Sequence, residues 1–416
     1  MRFFSVYDII IYKTQQNKLT IEEMFNFFKN NGIGKNKILS LKKSGIIPED
    51  EYFLAVILKY LNMTRLELEL SLHRVPHEYE IAYFENIKKI ASLLEQSHSS
   101  KEHKVFIEKE PYFQTKYGRL YNGDALELFK TVPDNSIDTI FADPPFNLSK
   151  EYDEGVNDSK TYSEYINWCM KWLDECVRVL KPNGSLFIYN VPHWHTYLSA
   201  YLNEKLNFWA WIAVDMKFSL PIQNRLYPAH YSLLYYVKGS KPKTYNNQRI
   251  PMLTCRHCGG ELKDYGGYKN KMNPKGVNLS DVWTDIYPVR HSNTKKRKFN
   301  ELPVKLLDRV ITMSTNKGDT VLDPFGGSGT TFAVSEILER NWIGFEIGNC
   351  EIIKNRLENL DNDRLLLEKI YQEKNNLFPD NVRKLRKQNG FWLPEDFDID
   401  DSQKNKNQIS LFDTDK

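Results

Sequence analysis

Apolar residues change their rhythm near residue 117. Before it, TIEEMFNFFKNNG, KNKILSLKKSG and PEDEYFLAVILKYLN, all within 20–71, place apolar side chains at three- and four-residue steps. That is the spacing of short helices with one buried stripe. The first is expected to end at Asn31-Gly32 and the second at Gly45, while Pro48 with Glu49 and Asp50 suits the first turn of the third. A further helix is expected over 72–100, with Ile81, Phe84, Ile87, Ile90 and Leu94 along one face. SHSSKEHK at 97–104 is polar and reads as a linker.

After residue 117 short apolar runs alternate with helical stretches. IDTIFA (137–142), SLFIYNV (185–191), SLLYYV (232–237) and TVLDPF (320–325) are rich in β-branched or aromatic residues. Between them lie helical patterns such as YSEYINWCMKWLDECVRVL and LPVKLLDRVITMS. Continuous apolar strands between helices imply an α/β domain with a buried, mostly parallel sheet. Beyond about 360 the chain turns charged, and its last stretch, DDSQKNKNQISLFDTDK, is expected to be disordered. There is no internal repeat.

Composition narrows the class. A chain of 416 residues, 41% hydrophobic and 27% charged, has room for two or three ordinary domains. No apolar run approaches the roughly 18 residues of a membrane span. Asp8 interrupts the apolar opening and no small-residue cleavage site follows, so no signal peptide and no membrane partner are expected. Five cysteines with one close pair give no disulfide framework and fit a reducing cytoplasm. Net charge is only +3, which announces no nucleic-acid partner, yet Arg290, Lys295, Lys296, Arg297 and Lys298 form a dense basic cluster.

Two loops hold the chemistry. Asp143-Pro144-Pro145-Phe146 directly follows the strand IDTIFA. Consecutive prolines stiffen the turn and remove two N–H donors, leaving carbonyl oxygens to face a cleft at the carboxyl end of the strand. A carboxylate and a nearby carbonyl can together accept both hydrogens of one exocyclic NH2, and Phe146 offers a face for a stacked base. The second loop, Asp323-Pro-Phe-Gly-Gly-Ser-Gly-Thr-Thr331, also lies between an apolar strand and a helical pattern. Its glycines let backbone approach a ligand, and the helix start behind them favours a carboxylate. No Lys follows the last glycine, so it is not a phosphate-binding Walker loop. Glu346 ends the next strand, WIGFE, where an acid can hold ribose hydroxyls.

These residues resemble the beta group of amino-methylating DNA methyltransferases, in which the catalytic motif precedes the cofactor loop. The resemblance spans roughly 117–358 and includes Tyr121-Asn-Gly-Asp-Ala-Leu126, Leu180-Lys-Pro-Asn-Gly-Ser-Leu-Phe-Ile188, and Pro303-Val-Lys-Leu-Leu-Asp-Arg309 leading into Gly318-Asp-Thr-Val-Leu-Asp323. It implies a Rossmann-like α/β methyltransferase fold with S-adenosyl-L-methionine as cofactor and double-stranded DNA as substrate. By the same resemblance Asp323, Phe325, Gly327, Gly329 and Thr330 line the methionine and adenosine side, Glu346 holds the ribose, and Asp124 sits near the cofactor adenine. Asp143, Pro144, Pro145 and Phe146 receive the target amine and its base. One departure is Glu301-Leu302-Pro303, where many relatives have Gln-Lys-Pro. Asp at the first position goes mostly with adenine N6 in the group and Ser with cytosine N4, so adenine is expected and cytosine N4 is the alternative. A catalytically idle DNA-binding regulator is the alternative from another class.

The target nitrogen lies inside a duplex, so its nucleotide has to swing out, at a cost of a few kcal/mol. No cysteine follows a proline, which disfavours the covalent route of cytosine-C5 enzymes. The expected organisation is a helical, helix-turn-helix-like module over 1–100, a linker over 101–116, and a catalytic half over 117–238. A target-recognition region over 239–300, a cofactor-binding half over 301–360 and a partly disordered extension over 361–416 follow. The basic cluster lies in the recognition region and suits phosphate contacts. Cys255 and Cys258 are half of a zinc knuckle, but with no second pair a metal-free turn with two buried thiols is expected. The N-terminal helices resemble those of Cro-like phage repressors, which implies DNA or partner binding. Gln408-Ile-Ser-Leu-Phe412 resembles the short motif that docks bacterial proteins on the replicative sliding clamp. A cognate restriction endonuclease and a homodimer are the usual setting of the group.

Overall fold

The computed structural model describes residues 3, 5–43, 47–48, 50–97, 108–147, 160–216, 221–224, 226–260, 269–289, 301–374 and 376–397. Its N-terminal part is helical: α1 (Val6–Gln16), α2 (Ile21–Asn30), α3 (Lys35–Ser40), α4 (Glu51–Leu61), α5 (Arg65–Ser71), α6 (Glu80–Glu85) and α7 (Ile87–Ser97). The first five bury Ile10, Met24, Phe28, Ile38, Ile57 and Leu68 in a core of their own. Thr20 and Thr64 open α2 and α5 with reciprocal capping boxes to Glu23 and Glu67. Gly32, at φ +74°, takes the left-handed turn after α2 that its sequence position implies.

The apolar opening forms α1, because Ser5 caps it and Val6, Ile9 and Ile10 share one buried face. Two sequence expectations change here. Helix α4 starts after Asp50, whose side chain accepts from Phe53 N, so Pro48 precedes the helix instead of entering its first turn; Gly45 and Glu49 lie outside the described residues. The single helix expected over 72–100 is broken at Asn86, whose side-chain and backbone N–H both turn back to the Ala82 carbonyl. Its apolar face is not packed on that core: Ile81 is 75% exposed and Phe84 77%.

The strands are β1 (Phe113–Gln114), β2 (Gly118–Asn122), β3 (Ile137–Ala142), β4 (Leu180–Asn190), β5 (Asn207–Asp215), β6 (His230–Val237), β7 (Arg249–Ile250), β8 (Val277–Asn278), β9 (Val282–Trp283), β10 (Thr320–Asp323) and β11 (Asn341–Glu346). One sheet runs β1-β2-β11-β10-β3-β4-β6-β5-β9, and β7 pairs with β8 apart from it. From β2 to β4 every neighbour is parallel, while β6 pairs antiparallel with both β4 and β5. The result is a Rossmann-like α/β domain carrying an antiparallel hairpin on one flank. Every residue of β3 is buried, which is why its sequence is a nearly unbroken apolar run. Its one charge, Asp138, is answered by Lys181 at 2.6 Å, Lys243 at 2.8 Å and the Thr320 N–H at 3.0 Å.

Around the sheet lie α8 (Ala125–Leu128), α9 (Tyr162–Val179), α10 (Pro192–Leu202), α11 (Val304–Ser314), α12 (Thr330–Ile337), α13 (Cys350–Glu358), α14 (Asp361–Glu373) and α15 (Asp380–Gln388). The N-terminal module meets this domain at the start of α9, where the buried Asp8 carboxylate accepts hydrogen bonds from the hydroxyls of Ser5 and Ser163. The extension after 360 is folded as far as 397: Leu377, Phe378 and Leu393 form a small core with Met252 and Val277. The tail with Gln408–Phe412 lies outside the described residues.

Candidate active site

Strands β3 and β10 are far apart in sequence yet adjacent in the sheet, with Leu322 registered against Ile140. Their carboxyl ends therefore release the two chemistry-bearing loops side by side, the crevice in which open α/β sheets bind ligands. Asp124, Asp143, Pro144, Pro145, Phe146, Asp323, Phe325, Gly327, Thr330 and Glu346 all line one cleft. Every expected catalytic residue and all but one expected cofactor residue thus share this cleft. The exception is Gly329, whose left-handed backbone (φ +78°) starts α12; a Cβ there would meet Ile353 at 2.9 Å.

The Asp143-Pro144-Pro145-Phe146 turn is held from behind. Tyr165 of α9 donates its hydroxyl to the Pro145 carbonyl at 2.6 Å, and Asn190 at the end of β4 donates to that hydroxyl at 3.1 Å. Trp194 of α10 donates to the Phe146 carbonyl at 2.7 Å. Among the described residues nothing donates to the Pro144 carbonyl, which leaves that acceptor for a substrate. Phe146 is packed against Tyr189 and Tyr231, with ring centroids 6.4 and 5.9 Å away. Burial first, then the Asp143 carboxylate, hold both tyrosine hydroxyls above their ordinary range, so the aromatic wall stays neutral beside a negative charge. At the turn's exit the Asn147 side chain donates to the Lys160 carbonyl at 3.0 Å and accepts from the Lys160 N–H at 2.9 Å.

The opposite wall is the glycine loop. Asp323 accepts from the Phe325 N–H at 2.9 Å and from the Thr331 hydroxyl at 2.5 Å. Glu346 accepts from the Gly327 N–H at 2.6 Å with one oxygen and from the Gly348 N–H at 2.7 Å with the other. Phe325 stands among Trp168 and Trp172, at 5.6 and 5.3 Å. Behind the loop lies Arg356 of α13. It forks onto Asp363 at 2.6 and 3.0 Å, reaches Glu301 at 3.1 Å, and donates to Thr330 Oγ1 at 2.8 Å and to the Ser328 carbonyl at 3.2 Å. The unusual Glu301-Leu302-Pro303 segment thereby acquires a role: Glu301 holds the arginine, Leu302 lines the cleft, and the Leu302 carbonyl takes the Thr330 hydroxyl at 3.1 Å.

Burial pushes the Asp323 carboxyl up to about 7 against an ordinary 3.8, with Glu346 adding repulsion and its hydrogen bonds opposing. Such a group binds its proton more tightly folded than unfolded, so its contribution to stability is lost as pH rises from 3.8 towards about 7. The displacement amounts to roughly 4 kcal/mol at most. Asp323→Asn, which keeps an acceptor for Phe325 N, is therefore expected to flatten the fall in stability of ligand-free protein between about pH 4 and 7. Urea midpoints across that range test it; an unchanged slope rejects the buried titration.

Several cleft residues escaped the sequence reading: Lys160, Tyr165, Trp168, Leu302 and Ile347. A signal for two of them was present. Tyr162, Tyr165, Trp168 and Trp172 recur at helical spacing immediately after the proline turn, an aromatic stripe whose polar tips can seek partners. Other expectations fall elsewhere. Arg290, Lys295, Lys296, Arg297 and Lys298 lie outside the described residues. Cys255 and Cys258 sit in a turn away from the cleft, closed by Gly259 N–H to the Cys255 carbonyl at 2.9 Å. They are not two buried thiols, since Cys255 is exposed and Cys258 half-buried. The buried side chain there is Arg386, whose Nη1 donates to the Gly259 and Gly260 carbonyls at 2.9 and 2.5 Å while Nε and Nη2 donate to the Trp392 carbonyl at 3.0 and 2.9 Å. No cluster of three metal-ligating side chains occurs among the described residues. No helix among them is long and apolar enough to cross a membrane.

The profile of a family described as DNA methylase matches residues 137–355, which include both loops and Glu346. The type II methyltransferase M.BamHI of Bacillus amyloliquefaciens is 64% identical over 421 residues, covering 99% of each chain. The type II methyltransferase M.HpaI of Haemophilus parainfluenzae is 33% identical over 247 residues, 59% of this chain and 74% of its own. The DNA adenine methyltransferase YhdJ of Escherichia coli K12 is 34% identical over 255 residues, 59% of this chain and 85% of its own.

Proposed function

Because the chain belongs to the DNA methylase family and is an S-adenosylmethionine-dependent DNA methyltransferase, we propose that it methylates the exocyclic amine of a base swung out of duplex DNA, with Asp143 and the Pro144 carbonyl as the amine's two acceptors. The observation that supports this most is the meeting of the proline turn and the glycine loop in one cleft. The cleft fits the cofactor: the loop from Asp323 to Thr331, Glu346 and the apolar side chains of Phe325, Leu302 and Ile347 line one end of it. Glu346 and Asp124 would hold the ribose and adenine side, and the start of α12 the carboxylate. When bound, the cofactor supplies a methyl group on a positively charged sulfur.

The chain's own part is positioning and electrostatics. An exocyclic amine shares its lone pair with the ring. Two acceptors on its hydrogens, fixed by Tyr165 and Trp194 behind the turn, concentrate that pair on nitrogen. Transfer would form the N–C bond as the cofactor's S–C bond broke with its electrons left on sulfur, and the amine would shed a proton for which the Asp143 carboxylate is the adjacent acceptor. Phe146 provides the face on which the ring stacks. None of the cysteines lines the cleft, in keeping with direct transfer to nitrogen.

Asp143 is also the residue on which adenine N6 rests, through the group's usual association of Asp with that base. Cytosine N4 presents the same two N–H donors, so the acceptor pair selects an amine and not a ring. Nucleoside mass spectrometry of DNA methylated by the chain tests both levels. N6-methyladenine supports the reading, N4-methylcytosine replaces adenine by cytosine while leaving the amine chemistry standing, and 5-methylcytosine overturns it. The names of M.BamHI and M.HpaI as type II methyltransferases support a cognate restriction endonuclease as partner. The cluster Arg290 to Lys298 is proposed to contact phosphates, and the N-terminal module to add DNA or protein contacts beside α9. Homodimerisation and clamp docking through Gln408–Phe412 are further proposals, tested by sedimentation and by deleting 408–416.

A further inference from the structure

The β5–β6 hairpin projects from the same end of the sheet as the catalytic turn. Ser232 of β6 is registered against Asn190, the last residue of β4, and Asn190 touches the Tyr165 hydroxyl that braces the turn. Beyond that level the hairpin continues: Asp215 pairs with His230, and Met216 N–H reaches the Ala229 carbonyl at 2.9 Å. Three residues of extended chain rise about 10 Å, so Ala229 already stands clear of the strand ends. Tyr231, within this rise, packs on Phe146 at 5.9 Å. The tip is thus rooted in the wall against which the target base would stack.

Among its described residues the tip displays apolar side chains on either side of the polar Gln223 and Asn224. Pro221, Ile222, Leu226, Tyr227 and Pro228 are all exposed, Leu226 at 97%. Asn224, at φ +60°, provides the reversal between Ile222 and Leu226. A single exposed leucine means little, but Pro221 and Ile222 before the turn together with Leu226, Tyr227 and Pro228 after it mark a contact surface. Proteins that distort duplexes drive Leu, Ile or Pro between base steps, and a base that leaves the stack opens a gap of that kind.

We propose that Leu226 is a wedge that enters the duplex and fills the space vacated by the everted nucleotide, so that the hairpin tip positions the target for Asp143. This deepens the base-eversion reading and rests on it. The wedge acts on the stacked-to-everted equilibrium and not on methyl transfer itself. Its loss is therefore expected to matter only where eversion is costly.

The test uses the full chain, its methyl donor and a duplex carrying its methylation site, as mapped by methylome sequencing. A second duplex carries a mismatch opposite the target base, which weakens its pairing. Leu226→Ala is expected to lower kcat/KM on the matched duplex about tenfold and to recover to within about twofold of the unchanged chain on the mismatched one, with Leu226→Met near unchanged on both. With 2-aminopurine at the target, its fluorescence on binding is expected to fall in parallel. Equal activity of Leu226→Ala on the matched duplex overturns the proposal, as does a loss of the same size on both duplexes, which marks a folding or docking defect. Absence of methyl transfer by the unchanged chain would instead sink the methylation reading itself, so the two failures are distinguishable.

Discussion

Asp143→Ala is expected to lower methyl transfer to DNA by roughly 10²–10³-fold, the usual cost of removing one preorganised hydrogen-bonding group from a reacting centre. The reason is that, in the proposed arrangement, Asp143 supplies the charged member of the acceptor pair on the proline turn, and its partner, the Pro144 carbonyl, is a weaker neutral dipole. The surrounding turn should survive, because the bonds from Tyr165 and Trp194 run to the Pro145 and Phe146 carbonyls, which the substitution keeps. Calorimetric affinity for S-adenosylmethionine is therefore expected to stay within a few-fold, since the glycine loop, Glu346 and Asp323 are untouched. Asp143→Asn keeps one acceptor oxygen but places an N–H donor against the amine, and is expected to fall between the two. Transfer of labelled methyl groups at saturating cofactor measures the effect. Full activity in Asp143→Ala would remove the carboxylate from the mechanism.

Replacing Arg356 is expected to have the largest effect on stability. Its side chain is 2% exposed and lies against Asp363 and Glu301, themselves 3% and 6% exposed. A buried pair is an uncertain gain when intact, because desolvation opposes the attraction, yet removing one partner leaves charge behind in a poor dielectric. Arg356→Met fills similar volume and is expected to cost about 3–5 kcal/mol in urea unfolding. The same change frees Thr330 and Ser328 from the guanidinium at the back of the glycine loop. Cofactor affinity is thus expected to fall about tenfold under conditions where the variant remains folded. Arg356→Lys keeps the charge, but an ammonium cannot fork onto Asp363 while also reaching Glu301 and Thr330, so it should recover little of either loss. A Met variant as stable as the natural chain would show that the cluster is electrostatically neutral to folding.

The two experiments separate the cleft's two walls. Asp143 belongs to a turn held by aromatic side chains of α9 and α10, and its loss is chemical. Arg356 belongs to a frame that joins α13, α14 and the segment before α11, and its loss is mechanical. The Glu301-Leu302-Pro303 segment shows how the second kind of residue can hide in a sequence. Read against relatives with Gln-Lys-Pro it is a departure without a role. In the fold its glutamate anchors the buried arginine and its leucine faces the cleft.

What the sequence determined alone was local chemistry and local conformation. The nearly unbroken apolar run of IDTIFA, bounded by turn residues, read as a strand buried on both faces, and Asp143-Pro-Pro-Phe and Asp323 to Thr331 declared carbonyl acceptors and a glycine turn at strand ends. Each of these follows from side-chain volume, proline's missing donor or glycine's freedom, none of which needs a distant partner. Tertiary structure alone decided what those pieces meet. Periodicity says that a helix has an apolar face but not what covers it, so α9 turned its aromatic stripe into the cleft while the face of Ile81 and Phe84 stayed open. Pairing of β3 with β10, the clamp of Arg356 and the root of the β5–β6 hairpin join residues dozens to nearly two hundred positions apart. Such contacts are selected by the free energy of the whole packed sheet, which no window along the chain contains.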